Sequence, residues 1–303
     1  MKRLVRALTA ATLAFLIAQV ADTAAGAAWS DALAGRAKRM KETHAVRVGY
    51  RENVVPFSYL GPQGTPVGYS LDLCQAIVDT LSEDLAETLR IEYVRVTAAD
   101  RIDRVASGEV DLECGSTTST VERRSRVAFS PMIFVTGTRL AVLSQSGIRD
   151  VDDLRGKSVA VLRGTTNEAA MRELDRLRGL GLRFIDVDDY REGLAALGQR
   201  RADALAADEI LLRGLIAEAP TAGRFRVVGE MLSFEPYGIM YPRDDPTLAD
   251  AVDRTFRSLA ESREIAWIYE RWFVRPLPSG RTIGLPMSDQ LRRSFELIGL
   301  PAD

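Results

Sequence analysis

"VDLECGSTTSTVERR", residues 110–124, joins a strand to a helix start through a run of hydroxyls, and two arginines follow at once. "VDLE" alternates apolar and acidic residues, as a half-buried strand does. Gly115 reads as the end of that strand, and Ser116 to Thr120 as a hydroxyl-rich turn. Ser119 and Glu122 have the S/T-x-x-E spacing of a capping box, which places a helix start near Thr120. Free N–H groups at a helix start carry partial positive charge, and Arg123 stands beside them. Hydroxyls, amides and a guanidinium together suit a carboxylate or a phosphate. The same residues also read as an ordinary capped helix with surface arginines, so the flanking chain has to decide.

Upstream, "AVRVGY" reads as a strand and "SLDLCQAIVDTL" as an amphipathic helix with Leu71, Cys74, Ile77, Val78 and Leu81 on one stripe. "RIEYVRV" is a strand and "AADRIDRVAS" a helix ended by Gly108. This is a βαβαβ succession, which implies a mostly parallel sheet flanked by helices. Downstream, the strands "RLAVL", "SVAVL", "RFIDV" and "ADALAAD" alternate with the helices "TTNEAAMRELDRL", "DYREGLAALGQ" and "EILLRGLIAEA". "FRVVG" and "YGIMY" are further strands, and "PTLADAVDRTFRSLAES" and "EIAWIYERWF" are closing helices. The halves echo each other, so two α/β lobes of similar plan are expected, each an open, mostly parallel sheet flanked by helices. Open sheets of this kind hold ligands at their strand-to-helix turns. The chain is expected to cross between lobes near Phe134–Arg139 and again near Glu235–Tyr241, with the closing helices on the first lobe.

At 303 residues, 46% hydrophobic and 27% charged, the composition is that of a globular protein. Forty basic residues face 42 acidic ones and no long basic run occurs, so nothing favours nucleic acid. The N-terminus carries Lys2, Arg3 and Arg6, an apolar run from about Leu8 to Val20, then small residues. That layout is a secretory signal peptide; a retained anchor is the alternative, but the run is short of the ~20 residues of a span. Export permits disulfides, and Cys74 and Cys114 form either a bridge or two buried thiols. His44, the one histidine, has no metal-ligand company, so neither a zinc site nor a Cys–His nucleophile is expected. The expected parts are a signal peptide (1–27), a polar leader (28–44), a first lobe (45–136), a second lobe (137–238) and a return segment (239–303).

Candidate site residues come from both lobes. "LRGTTNEAA" repeats the opening logic: Gly164 ends a strand, Thr165 and Glu168 have capping-box spacing, and a helix starts near Thr166. Asp208 ends a strand, where its carboxylate can meet an ammonium or simply cap the next helix. Arg51, Arg101 and Arg123 follow strand ends on one edge of the first lobe. Three guanidinium groups there need anionic company, which a ligand with two carboxylates would supply.

The order "GYRENVVPFSY", "PVGYSLDLCQAI", "DLECGSTTSTVERR", "AFSPMIFVTGTRL", "DLRGKSVAVLRGTTNE" and "YGIMYPRDDP" resembles the periplasmic glutamate/aspartate-binding proteins. These belong to the polar-amino-acid branch, family 3, of the solute-binding proteins of ABC importers. The resemblance runs from about Val46 to Phe273 and implies the two-lobed type II periplasmic binding fold. It implies that Arg123 clamps the ligand α-carboxylate, helped by the backbone near Thr118 and Thr166. Asp208 and the Ser116 hydroxyl would receive the α-ammonium, and Arg51 and Arg101 would face the side-chain carboxylate. It further implies a membrane permease as partner, a monomer, and neither cofactor nor catalytic residue. Two positions depart from the pattern: "TAADR" has Ala98 where the family has a serine, and "DDYREG" has Tyr190 where a histidine contributes. The α-amino-acid clamp is intact, and the departures leave glutamate, aspartate or their amides as the ligand. An enzyme of the dehydratase kind on the same fold is the rival from another class. It would need a placed acid or base that the sequence does not display. A sensory module presenting its ligand to a receptor is the other rival.

Overall fold

The computed structural model describes residues 35–302. The signal peptide and residues 28–34 of the leader lie outside the described residues. A helix over 35–43 (α1) leads into β1 (Ala45–Tyr50). Short strands β2 (Asn53–Val54), β3 (Ser58–Leu60) and β4 (Pro66–Val67) precede helix α2 (Tyr69–Leu85). β5 (Arg90–Arg95), α3 (Arg101–Ala106), β6 (Leu112–Thr118), the one-turn α4 (Val121–Arg124), β7 (Val127–Phe129) and β8 (Phe134–Thr136) follow. The next unit runs β9 (Thr138–Leu143), β10 (Ser158–Leu162), α5 (Thr166–Arg178), β11 (Arg183–Val187), α6 (Tyr190–Gly198), β12 (Ala204–Asp208), α7 (Glu209–Glu218) and β13 (Phe225–Val228). The chain returns through β14 (Glu235–Pro242) to α8 (Pro246–Glu261), α9 (Glu264–Phe273) and α10 (Asp289–Glu296).

These strands make two main sheets. The first has the order β5-β1-β6-β14-β7, with β8 also paired to β14; the second has the order β11-β10-β12-β9-β13. In each, the strands of the βαβαβ succession pair in parallel: β1 with β5 and β6, and β10 with β11 and β12. The strands that carry the chain between sheets, β9 and β14, run antiparallel to their neighbours. β8 and β14 pair with each other, Glu235 opposite Thr136, so the outward and return crossings lie side by side.

The opening stretch departs from its sequence reading. β6 does not stop at Gly115 but continues to Thr118, and every residue of it is buried. The return strand explains this: Thr117 and Thr118 face Gly238 and Tyr237 of β14, which supply the ladder partners a turn would have lacked. "VDLE" is therefore not half exposed, and Asp111 and Glu113 are fully buried acids.

Rings and ions hold the first lobe. Phe57, Tyr69, Phe134, Tyr237, Tyr269 and Phe273 form one aromatic cluster, with Phe134 and Phe273 stacked at 4.9 Å and Phe57 edge-on to Tyr237 at 5.2 Å. The rings of both crossing strands are thereby anchored to α2 and α9. All five apolar residues of the α2 stripe are buried, and Cys74 on that stripe is bridged to Cys114 of β6. Asp111 binds the leader helix: its two oxygens accept from Arg39 Nη2 at 2.7 Å, and from the Arg47 amide at 2.8 Å. Arg36 of the same helix pairs with Asp245, just ahead of α8. Truncating Asp111 leaves the Arg39 guanidinium and the Arg47 amide without this buried acceptor. Asp111→Ala should therefore lower unfolding free energy by about 3–5 kcal/mol in urea titration. A loss under about 1 kcal/mol would contradict the role given to this contact.

Candidate functional site

The strand ends gather the residues singled out in the sequence. Arg51 directly follows β1, Arg101 opens α3, and Arg123 lies in α4; they are 7%, 3% and 8% exposed, so none is a solvated surface charge. Ser116 and Thr118 lie near the end of β6 and are buried beside them. From the second sheet come Thr166 at the start of α5, Tyr190 at the start of α6, and Asp208 at the end of β12. The two sets meet. Thr118 Oγ1 and Thr166 Oγ1 are 3.5 Å apart. Gly164 has φ +74°, and a Cβ there would come within 3.2 Å of the Ala98 carbonyl oxygen, so the loop before α5 rests on the loop before α3. The Tyr190 hydroxyl lies close enough to Asp208, Arg51 and Arg101 to feel their charges.

Charge at this meeting place is not balanced by ordinary ion pairs. Among the described residues, no carboxylate pairs with Arg51, Arg101 or Arg123 within 4 Å. Arg123 Nη1 donates to the Thr118 carbonyl at 2.9 Å, while the buried Nε of Arg101 has no partner. Burial, and then the charge of Arg101, push Arg51 and Arg123 each down to about 10. Burial first, then Asp208, raises the Tyr190 hydroxyl, so it is a neutral donor at ordinary pH.

Asp208 behaves differently from a helix cap. It stands at the N-cap position of α7 but makes no capping hydrogen bond. Its Oδ1 accepts from Asn167 Nδ2 at 2.9 Å, and its Oδ2 from the Tyr237 hydroxyl. Burial, followed by the charge of Glu235, pushes this carboxyl up to about 7.

Three residues of the site were not read from the sequence. Glu235, 2% exposed at the start of β14, accepts through one oxygen from the hydroxyls of Thr118 and Thr166, both at 2.6 Å. Glu113 is fully buried, accepts from Thr117 Oγ1 at 2.7 Å, and leaves Oε1 unpartnered. Asn167 links Asp208 to Thr138 of β9. The capping box also needs correction. Thr120, not Ser119, caps α4 by accepting from the Arg123 amide, while Ser119 accepts from Arg124 Nε. With four residues, α4 is too short to count as an anion-binding helix start, and Arg123 itself is what it offers. In the second lobe the spacing reads correctly: Thr165 caps α5 by accepting from the Glu168 amide at 3.2 Å.

The raised carboxyl fixes a pH dependence. Between about pH 4 and 7 the folded protein holds a proton on Asp208 that the unfolded chain has released, so stability from this group falls as pH rises across that window. Compared with Asp208→Asn, the parent protein should lose about 3–5 kcal/mol of unfolding free energy between pH 4 and 8. Parallel pH profiles for the two proteins in denaturant titration would contradict the burial and charge assignment.

Residues 46–275 match the family described as bacterial extracellular solute-binding proteins, family 3. The chain is 38% identical over 277 residues to the L-glutamate/L-aspartate-binding protein of Pseudomonas aeruginosa, covering 90% of this chain and 91% of that one. It is 34% identical over 278 residues to the glutamate/aspartate import solute-binding protein of Escherichia coli K12, covering 91% and 90%. Among solved structures, a mutant of ArgBP from T. maritima superposes with a TM-score of 0.70 at 26% identity, over 78% of this chain and 98% of that one. The architecture is accordingly the two-lobed type II periplasmic binding fold expected from the sequence. With the match spanning both sheets and the crossings between them, this chain belongs to the bacterial extracellular solute-binding proteins of family 3.

Proposed function

We propose that the chain is the periplasmic solute-binding component of an ABC importer and that it closes on an acidic L-amino acid, glutamate or aspartate. The observation that carries the reading is the set of three buried guanidinium groups without a carboxylate partner among the described residues, gathered near the buried carboxyl of Asp208. An acidic amino acid brings two carboxylates and one ammonium, the complement of that set. The glutamate/aspartate names of the relatives above support the same choice.

In this reading Arg123 clamps the α-carboxylate, with backbone amides near Thr118 and Thr166 completing its hydrogen bonds. Asp208 and the Ser116 hydroxyl take the α-ammonium, and Arg51 and Arg101 take the side-chain carboxylate. Tyr190 donates its hydroxyl where the resemblance implies a histidine, and buried Ala98 offers no hydroxyl where it implies a serine. The lobes, 45–136 with 239–303 against 137–238, swing about the paired crossings, and closure buries the ligand charges. Every buried charge must be paired, so an amide side chain leaves Arg51 and Arg101 desolvated and uncompensated. The closed monomer then docks on a membrane permease, which takes the cargo.

One observation also suits a catalyst: a carboxyl near pH 7 is what a general acid needs. Both oxygens of Asp208 are already engaged, by Asn167 and Tyr237, which favours a fixed acceptor over a proton shuttle. Ligand mass before and after incubation should be identical; conversion to a dehydrated product would make this chain an enzyme.

Isothermal titration of ligand-stripped protein should show glutamate or aspartate bound about 100-fold more tightly than glutamine or asparagine, the value of roughly one buried charge-assisted contact. Equal affinities for acid and amide would contradict the roles of Arg51 and Arg101. Arg123→Ala should abolish binding of all four. Arg101→Ala should cost the acids at least tenfold more than the amides.

A further inference from the structure

We infer that Glu235 is a latch between the lobes, a positioning residue that holds the binding site closed and thereby sets how slowly the ligand leaves. This rests on the proposed closure, and it adds a residue that the binding reading does not use. Glu235 sits where the return crossing begins, on the strand paired with the outward crossing. Its Oε2 accepts from Thr118 Oγ1 of the first sheet and from Thr166 Oγ1 of the second, each at 2.6 Å. These two donors lie on opposite sides of the crossings, so a rotation that parts the lobes must carry one of them away from the carboxylate.

The carboxylate itself is held in place. Its Oε1 accepts from Ser233 Oγ at 2.6 Å, and Ser233 Oγ lies 2.7 Å from Thr138 Oγ1 on the outward crossing. Thr138 accepts in turn from Asn167 Nδ2, which also holds Asp208. The latch oxygen is thus fixed relative to both crossing strands, and the chain of hydrogen bonds runs from it to the carboxyl proposed for the ligand ammonium. A hydrogen bond to an ionised, buried acceptor is among the stronger ones available, and here a single oxygen collects two. Opening the site exchanges one of those donors for water, a weaker and less fixed partner than the buried hydroxyl.

The test uses two readouts on the full mature chain. Spin labels at Val121→Cys and Leu177→Cys, both exposed and on opposite lobes, report the interlobe distance without ligand, since the native cysteines are bridged. Stopped-flow with L-glutamate gives association and dissociation rates. Glu235→Ala should shift the unliganded distances to longer values and raise the dissociation rate about tenfold, with the association rate within about twofold. Glu235→Gln keeps an acceptor oxygen but loses the charge, so it should fall between the parent and Glu235→Ala in both readouts. Thr166→Val removes the second lobe's donor and keeps its backbone amide. It should reproduce Glu235→Ala, and it carries the test should Glu235→Ala fold poorly. Unchanged distances and dissociation in Glu235→Ala and Thr166→Val would overturn the inference, as would Glu235→Gln behaving like alanine. Because the distance measurement needs no ligand, a parent protein that binds no amino acid overturns the ligand reading alone and leaves the latch to be decided by the distances.

Discussion

Three guanidinium groups are buried at one strand-end edge with no carboxylate among the described residues to pair them, and the rest of the structure has to accommodate that. Charge taken out of water costs several kcal/mol per group unless it is matched. The nearest acids are committed elsewhere in whole or in part: Glu113 through one oxygen to Thr117, Glu235 to two threonines and a serine, Asp208 to Asn167 and Tyr237. They soften the cationic field without quenching it, and burial, followed by the charge of Arg101, holds Arg51 and Arg123 down at about 10. Such an arrangement persists only on a stiff scaffold. The aromatic cluster of α2, α9 and the crossing strands, the Cys74–Cys114 bridge and the Asp111 clamp on the leader helix supply that stiffness in the first lobe.

The topology places the chemistry. In both sheets the parallel strands end at the same side, and the turns there carry Arg51, Arg101, Thr166, Tyr190 and Asp208. The antiparallel strands β9 and β14 have another task. They carry the chain across, pair with strands of the sheets they enter, and bring Thr138, Ser233 and Glu235 into one hydrogen-bonded group. The crossing strands and the candidate site therefore share one hydrogen-bonded group, so in the proposed reading closing the lobes and assembling the site are one event.

Much of this was legible in the residues, for identifiable reasons. The strands β1, β10 and β12 and the helices α2 and α9 have strong periodicity, so their existence and type followed directly. Arg51 was visible because it directly follows an apolar strand, Asp208 because it ends one, and Arg101 because it opens a helix. The small sheet of β2, β3 and β4 was not legible, since strands of two or three residues carry no period. α10 was missed as well: its stripe of Leu291 and Phe295 is too short to stand out. Gly115 looked like a strand end because its partner strand lies more than a hundred residues downstream. Glu235 escaped for the same reason. "FEPYG" shows only an acid ahead of an apolar strand, and its partners Thr118 and Thr166 are brought to it by the fold alone.

The measurement that reaches the centre of the account is a crystal structure of the mature protein with L-glutamate bound. The account predicts the ligand α-carboxylate on Arg123, its ammonium on Asp208, and its side-chain carboxylate between Arg51 and Arg101. A ligand seated elsewhere, or one whose side-chain carboxylate faces water while Arg51 and Arg101 stay unpaired, would contradict it.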